Sequence, residues 1–305
     1  MDPTLVTTIW SRLLTGKPLE DLHLPVVDGR IDLRGLVAPE PAVLREYATL
    51  RANVKELQNL VVIRRGRWKN LDLSRSKLAH LRFHDSTIEN CLFDEAKCAD
   101  WRIWGTSVSN SSFRGADLRE AALGGIENEK RNSFYNVDFT KADLRKTSYF
   151  SSDMTRCKFS NTRLSNVDFE GTVFVDCSFE GILDEVLFNR FGFQGETFPP
   201  NEMRGVDFRG AKLRWVEFRE LDMDRVHWPE DDEHIILENY PETLDRLLTI
   251  WGSRSDTSAR QLAAAFEVRR KWIGPKQKVD IVSKVDLIEI GGEEAVLDVL
   301  RVIGR

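Results

Sequence analysis

Residues 134–179, FYNVDFTKADLRKTSYFSSDMTRCKFSNTRLSNVDFEGTVFVDCSF, put a large apolar residue at every fifth position: Phe134, Phe139, Leu144, Tyr149, Met154, Phe159, Leu164, Phe169, Phe174 and Phe179. A period of five fits neither a helix, whose side chains recur every 3.6 residues, nor a plain strand, whose side chains alternate. It specifies a repeat architecture. Upstream the same period runs Leu73, Leu78, Phe83, Ile88, Phe93, Cys98, Ile103, Val108, Phe113, Leu118 and Leu123, then breaks in an eleven-residue step to Phe134. Downstream a four-residue step leads to Leu183, Phe188, Phe193, Phe198, Met203, Phe208, Leu213, Phe218, Met223 and Trp228. In a chain that is 41% hydrophobic, such a series has a chance probability on the order of 10⁻¹².

Two residues before most of these positions stands a small or β-branched residue, among them Ser86, Cys91, Ala116, Ala142, Cys157, Val167 and Cys177. A large and a small inward seat thus alternate with outward polar residues. Ala116-Asp117-Leu118-Arg119, Ala142-Asp143-Leu144-Arg145 and Val167-Asp168-Phe169-Glu170-Gly171 closely resemble the A(D/N)LXX unit of the pentapeptide-repeat proteins. That resemblance covers about residues 68 to 228. It implies an all-β solenoid, a right-handed quadrilateral β-helix of about eight coils with one pentapeptide per side. As a guide to function it is weak, because a solenoid is a scaffold on which sites are placed.

The flanks read differently. Residues 1–66 form a helical N-terminal cap, with amphipathic helices over 3–15 and 41–62, and Gly29 to Leu36 looks like a stray repeat unit. Residues 67–230 are the solenoid. Residues 231–305 form a small α+β region that caps the last coil, dimerises, or does both. Within it, 241–252 and 257–273 read as helices, and 278–290, rich in Val and Ile, as one or two strands. A last helix follows Gly291-Gly292, carrying Val296, Val299, Leu300 and Ile303.

Composition narrows the function classes. A formal charge of −5 and a pI near 5.7 argue against general nucleic-acid binding, which favours a basic domain. The four cysteines sit in inward seats and read as buried thiols of a reducing compartment. No signal peptide and no apolar run of about 18 residues is seen, so a bacterial cytoplasmic protein without a membrane segment is expected. Phosphate loops, nucleophile elbows and zinc-spaced cysteines are absent. His80 and His84 point outward on adjoining sides, which disfavours a metal pair. Arg269-Arg270-Lys271 with Lys276 and Lys278 forms a basic cluster that reads as a solvated helix end rather than a nucleic-acid site. Neither catalysis nor a cofactor is expected.

Two surfaces remain. The 124–133 break, with Glu127, Asn128, Glu129, Lys130 and Arg131, is expected to bulge as a surface loop, either a tolerated insertion or a partner contact. From Leu164 to Asn189 six acids, Asp168, Glu170, Asp176, Glu180, Asp184 and Glu185, occur with no Lys or Arg. Residues 67–163 hold 17 basic and 13 acidic residues, a net +4, and 164–228 hold 7 and 13, a net −6. The six acids point outward and form either a solvated face or an acidic surface for a basic partner. The reading is a protein-binding scaffold, with an immunity or defence component as a further alternative. Some proteins of the resembling family mimic DNA and act on gyrase or topoisomerase IV, so a type II topoisomerase is a candidate partner.

Overall fold

A computed structural model describes residues 2–39, 61–192, 195 and 197–305. The helix read over 41–62 lies almost wholly outside the described residues; Val61 and Val62, at its end, belong to a strand, Val61–Arg64. The chain divides into two units, Met1–Arg163 and Leu164–Arg305.

Between residues 61 and 123 of the first unit, parallel partners lie twenty residues apart. Leu92 is opposite Ser112 and Lys77 opposite Lys97, Arg82 opposite Arg102, and Thr87 opposite Ser107. Twenty residues are four pentapeptides, so each pentapeptide feeds one of four ladders. Corners separate them: every fifth residue from Arg65 to Asp100 has φ between 47° and 63°, and Gly105 and Gly115 take the same place. Left-handed backbone at each corner lets the chain turn after a few extended residues. Aspartates beside the large seat secure those turns. Asp117 and Asp143 each accept the backbone N–H of the residue two places on, and the guanidinium of Arg119 or Arg145.

The large seats point in: of the described residues in the series, only Phe198 and Trp228 are not buried. Phe93 stacks on Phe113 at 4.7 Å, Phe113 on Phe139 at 5.5 Å, and Phe139 on Phe159 at 5.1 Å, all within 17° of parallel. Such ring pairs add about 0.5–1.5 kcal/mol each beyond area burial. Most small seats are buried too, and Leu71, Leu81, Trp101 and Leu221 break the size rule there. Trp101 packs against Phe83, Phe93 and Phe113 and donates its indole N–H to the Leu78 carbonyl.

Gly29 to Leu36 does act as a repeat unit, with Ile31 opposite Leu71 and Asp32 opposite Asp72. Helix α1 (Pro3–Thr15) opens on Asp2, whose carboxylate accepts the Leu5 N–H, and stops at Gly16 in the left-handed region. It buries Ile9, Trp10 and Leu13. Trp10 meets Trp68 edge-on at 6.2 Å, and Trp68 donates to the Leu13 carbonyl.

In the second unit, strand Leu164–Phe169 pairs in parallel with Ser178–Asn189, Leu164 opposite Leu183 and Phe169 opposite Phe188. The next partners come thirty residues on: Leu183 faces Leu213, and Phe188 faces Phe218. Two pentapeptides are therefore looped out of the ladder after Asn189. The period of five is kept across 189–201, because an insertion of ten keeps the phase, while Phe191, Glu196 and Asn201 in the small seats and Pro199-Pro200 mark the stretch in the sequence as a distorted coil. Phe193, Gln194 and Glu196 lie outside the described residues, and Phe198 is half-buried. Pro199-Pro200 lack the N–H groups a ladder needs. Asn201 re-enters fully buried, its carboxamide oxygen accepting the N–H groups of Phe174 and Met203.

Beyond Trp228, strand His234–Glu238 pairs antiparallel with Val279–Ser283. The first of these was not foreseen. Helices α2 (Tyr240–Gly252), α3 (Thr257–Arg270) and α4 (Lys284–Ile303) pack on the pair around Leu237, Leu244, Trp251, Leu262 and Val299. Residues 284–290 are helix, not strand: the Ser283 hydroxyl caps α4 by accepting the Val285 N–H, and Gly292 only kinks it. Val299 is buried in this core, and Val296, Leu300 and Ile303 pack against it. The stripe that suggested dimerisation is thus covered within the chain.

The same region satisfies the edge of the last strands. Leu213 N–H donates to His234 Nε2 at 3.0 Å and Trp215 N–H to the Asp286 carboxylate at 2.8 Å. Arg269 donates to the Val216 carbonyl and Gln277 to that of Phe218, while Glu220 N–H donates to the Trp272 carbonyl. These bonds use up groups that an open edge offers to another chain.

Candidate interaction site

The 124–133 segment is a two-residue hairpin rather than a loose bulge. Ile126 faces Arg131 and Glu127 faces Lys130, around Asn128 and Glu129 with φ of 50° and 62°. Positive φ at both tip residues is the turn that matches strand twist. Partners across it are 26 residues apart instead of twenty, as with Ser107 and Ser133. Gly124 is required at its base, where a Cβ would come within 2.1 Å of the Phe150 nitrogen.

The five residues read there divide by role. Asn128, Glu129 and Lys130 are exposed. Glu127 is half-buried and lies 3.1 Å from His84 Nδ1, whose ring stacks on Trp104 at 4.5 Å. Burial lowers the His84 pKa, with Glu127 opposing. Arg131 is no contact residue, because it is buried and donates to the Ser151 and Ser152 carbonyls. Asn132 fills a small seat, fully buried. It accepts the Thr106 N–H and donates to the Ile103 and Leu123 carbonyls, so it closes the coil across the insertion.

None of the six acids is buried, but they do not share one face. Asp184 follows Leu183 on the ladder it forms with Leu164, opposite Arg214 on the next strand. Glu185 takes the corner after it. Asp168 and Glu170 flank Phe169 on the ladder of Phe188. Asp176 is a corner residue after Val175, and Glu180 lies opposite Gly210. The pentapeptide register gives inward or outward; only the ladder pairing tells which side. Asp168 and Glu170 line a groove of about 370 Å³ with Arg190, Phe191, Arg219 and Trp272, the Arg219 guanidinium 4.8 Å from the Trp272 ring. Partial desolvation raises the Asp168 pKa, against the Glu170 N–H it accepts and the Arg219 charge.

Other side chains singled out earlier have structural partners. All four cysteines are buried, and burial pushes the Cys91 thiol up to about 12 and Cys98 well above its usual value, which disfavours the reactive thiolate. His80 sits 3.0 Å from Asp100, apart from the His84–Glu127 pair. Arg269 corrects the solvated-end reading: it is largely buried, 3.7 Å from Asp280, whose carboxyl burial pushes up to about 6. Arg270 of that cluster faces surface acids, Asp245 and Glu267. Among the described residues no helix is long and apolar enough to cross a membrane.

The ladders, corners and paired seats define a β-solenoid of five-residue units. Residues 152–182 match the family described as pentapeptide repeats (8 copies), so this stretch of the chain carries pentapeptide repeats. Among solved structures it is similar to a trypsin-treated form of QnrB1, a plasmid-mediated fluoroquinolone resistance protein, at 17% identity over 54% of this chain and 78% of that one, with a TM-score of 0.21. It is also similar to HetL, a pentapeptide repeat protein involved in heterocyst differentiation regulation from the cyanobacterium Nostoc sp. strain PCC 7120, at 16% identity over 54% and 90%, TM-score 0.21. Rfr23 from the cyanobacterium Cyanothece 51142 aligns at 8% identity over 55% and 88%, TM-score 0.16. No curated protein matches the chain.

Proposed function

We propose that the chain is a non-enzymatic, protein-binding scaffold of the bacterial cytoplasm. Its repeats form a right-handed quadrilateral β-helix of about eight coils, with 1–66 and 231–305 as caps. The observation that carries this reading is the filled interior. Stacked rings such as Phe93, Phe113 and Phe139 occupy the large seats, leaving the outward ladders to meet partners. Solenoids work through such extended surfaces.

A second reading is a DNA-mimicking modulator of gyrase or topoisomerase IV. The net −6 of residues 164–228 favours it. So does the spread of the six acids over several sides, since a duplex also carries negative charge all around. One variant tests both readings: Asp168, Glu170, Glu180 and Asp184 each replaced by Lys. Outward changes of this kind leave folding within tenths of a kcal/mol per site. The wild type is expected to capture a basic partner from native-cell lysate in a salt-sensitive way, and the variant to lose it. On the topoisomerase reading the wild type also alters gyrase supercoiling, and the variant does not. Unchanged supercoiling over a wide concentration range removes the topoisomerase partner, and identical capture by wild type and variant removes the acids from the interface.

A further inference from the structure

We propose that one side of the first unit, the groove bearing Lys97, Arg119, Lys141, Arg145 and Arg163, docks an acidic, extended segment of a partner protein. The inference goes beyond the scaffold reading and concerns a surface of opposite sign from the acids of 164–189, so either can fail alone.

The ladder sets up the groove. Lys97, Asp117, Asp143 and Arg163 are successive parallel partners, one per coil. Arg119 and Arg145 project two residues beyond the aspartates, Lys141 two residues before, and together they line a shallow groove of about 600 Å³. The two carboxylates in it are already committed. Asp117 takes Nε and Nη2 of Arg119 at 2.9 Å each, and Asp143 takes those of Arg145 at 2.9 and 2.7 Å. Both aspartate side chains are largely covered, at 14% and 17% exposure. The cations are open: Arg163 is 69% exposed and meets Asp143 through one nitrogen at 3.5 Å. Lys97 and Lys141 are exposed and have no ion pair among the described residues. Five cations against two clamped carboxylates leave a surface that attracts anions.

Size selects the kind of anion. Four rows at one strand spacing span about 14 Å, and one side is at most about 17 Å long. That area seats four or five extended residues, whereas a specific duplex interface covers roughly 1,000–2,500 Å² of protein. A strand presents alternate side chains to one face, so carboxylates at every second residue meet the cation rows.

The test uses a fluorescein-labelled ten-residue peptide of alternating Glu and Ser, its Gln/Ser counterpart, and a 20-base-pair DNA duplex, read by fluorescence anisotropy on the full chain. Wild type is expected to bind the Glu peptide at low salt and not the Gln peptide, and to lose it as salt rises. Lys97→Glu with Lys141→Glu and Arg163→Glu should weaken binding tenfold or more. An equal charge change elsewhere, Arg67→Glu with Arg156→Glu and Lys158→Glu, should stay within twofold. Lys97→Gln with Lys141→Gln, which removes charge without adding repulsion, should give an intermediate loss at an unchanged denaturation midpoint. Equal losses in the two triple variants, no binding of the Glu peptide by wild type, or tighter binding of the duplex than of the peptide would overturn the proposal.

Discussion

Phe113→Ala is expected to lower the unfolding free energy by about 3–5 kcal/mol. Phe113 is 3% exposed, stacked between Phe93 at 4.7 Å and Phe139 at 5.5 Å, with Trp101 edge-on at 6.0 Å. Truncation leaves a ring-sized void that these neighbours cannot close, because each is held in its own stack. Lys158→Ala, an outward residue of the same unit, should cost under about 0.5 kcal/mol. Urea denaturation of the two variants checks the seat assignment, and equal midpoints contradict it.

Asn132→Ala is expected to cost about 2–5 kcal/mol for a different reason. The Asn132 carboxamide holds the Thr106 N–H at 2.9 Å and the Ile103 and Leu123 carbonyls at 2.8 and 2.9 Å, all inside the fold. Alanine fits the seat, but three backbone groups lose their partner, and an unsatisfied buried group costs roughly 1–3 kcal/mol. Asn136→Ala is the control, since that side chain is exposed and among the described residues donates to Asn110 alone. The same urea titration decides, and a small loss at Asn132 would mean that the hairpin insertion is closed some other way.

The sequence made legible whatever follows the period of five. Large seats, small seats, outward acids and buried cysteines all come from that one regularity, since side-chain direction is set by position in the pentapeptide. Insertions show why the rest did not. The eleven-residue step after Leu123 shifts the phase and was visible, though its outcome as a hairpin hangs on two left-handed tip residues. The insertion after Asn189 shifts no phase: Phe191, Glu196 and Asn201 in the small seats and Pro199-Pro200 mark a distorted coil there, but its length shows only in the pairing of Leu183 with Leu213. Which side an outward acid occupies depends on the coil count, so Asp184 and Glu180 read as neighbours yet pair with different ladder positions, Arg214 and Gly210.

Outside the repeats, local pattern competes with tertiary context. Residues 284–290 are rich in β-branched and apolar side chains, and propensity favours a strand there. The Ser283 cap and the core around Leu287 and Val299 make them helix. Arg269 looked like a solvated cation beside Arg270, but the edge carbonyl of Val216 and the buried Asp280 draw it inward. No sequence signal marks that, because the partner carbonyl lies 53 residues away.

The coil of twenty residues underlies every surface described above, and engineered cysteine pairs measure it directly. Thr87 and Ser107 are outward parallel partners, and neighbouring strands lie about 4.8 Å apart, within the Cα separation a disulfide accepts. Thr87→Cys with Ser107→Cys is expected to oxidise readily under native conditions, while Thr87→Cys with Lys97→Cys, half a coil away, should not. A disulfide in the ten-residue pair and none in the twenty-residue pair would contradict the coil and the surfaces built on it.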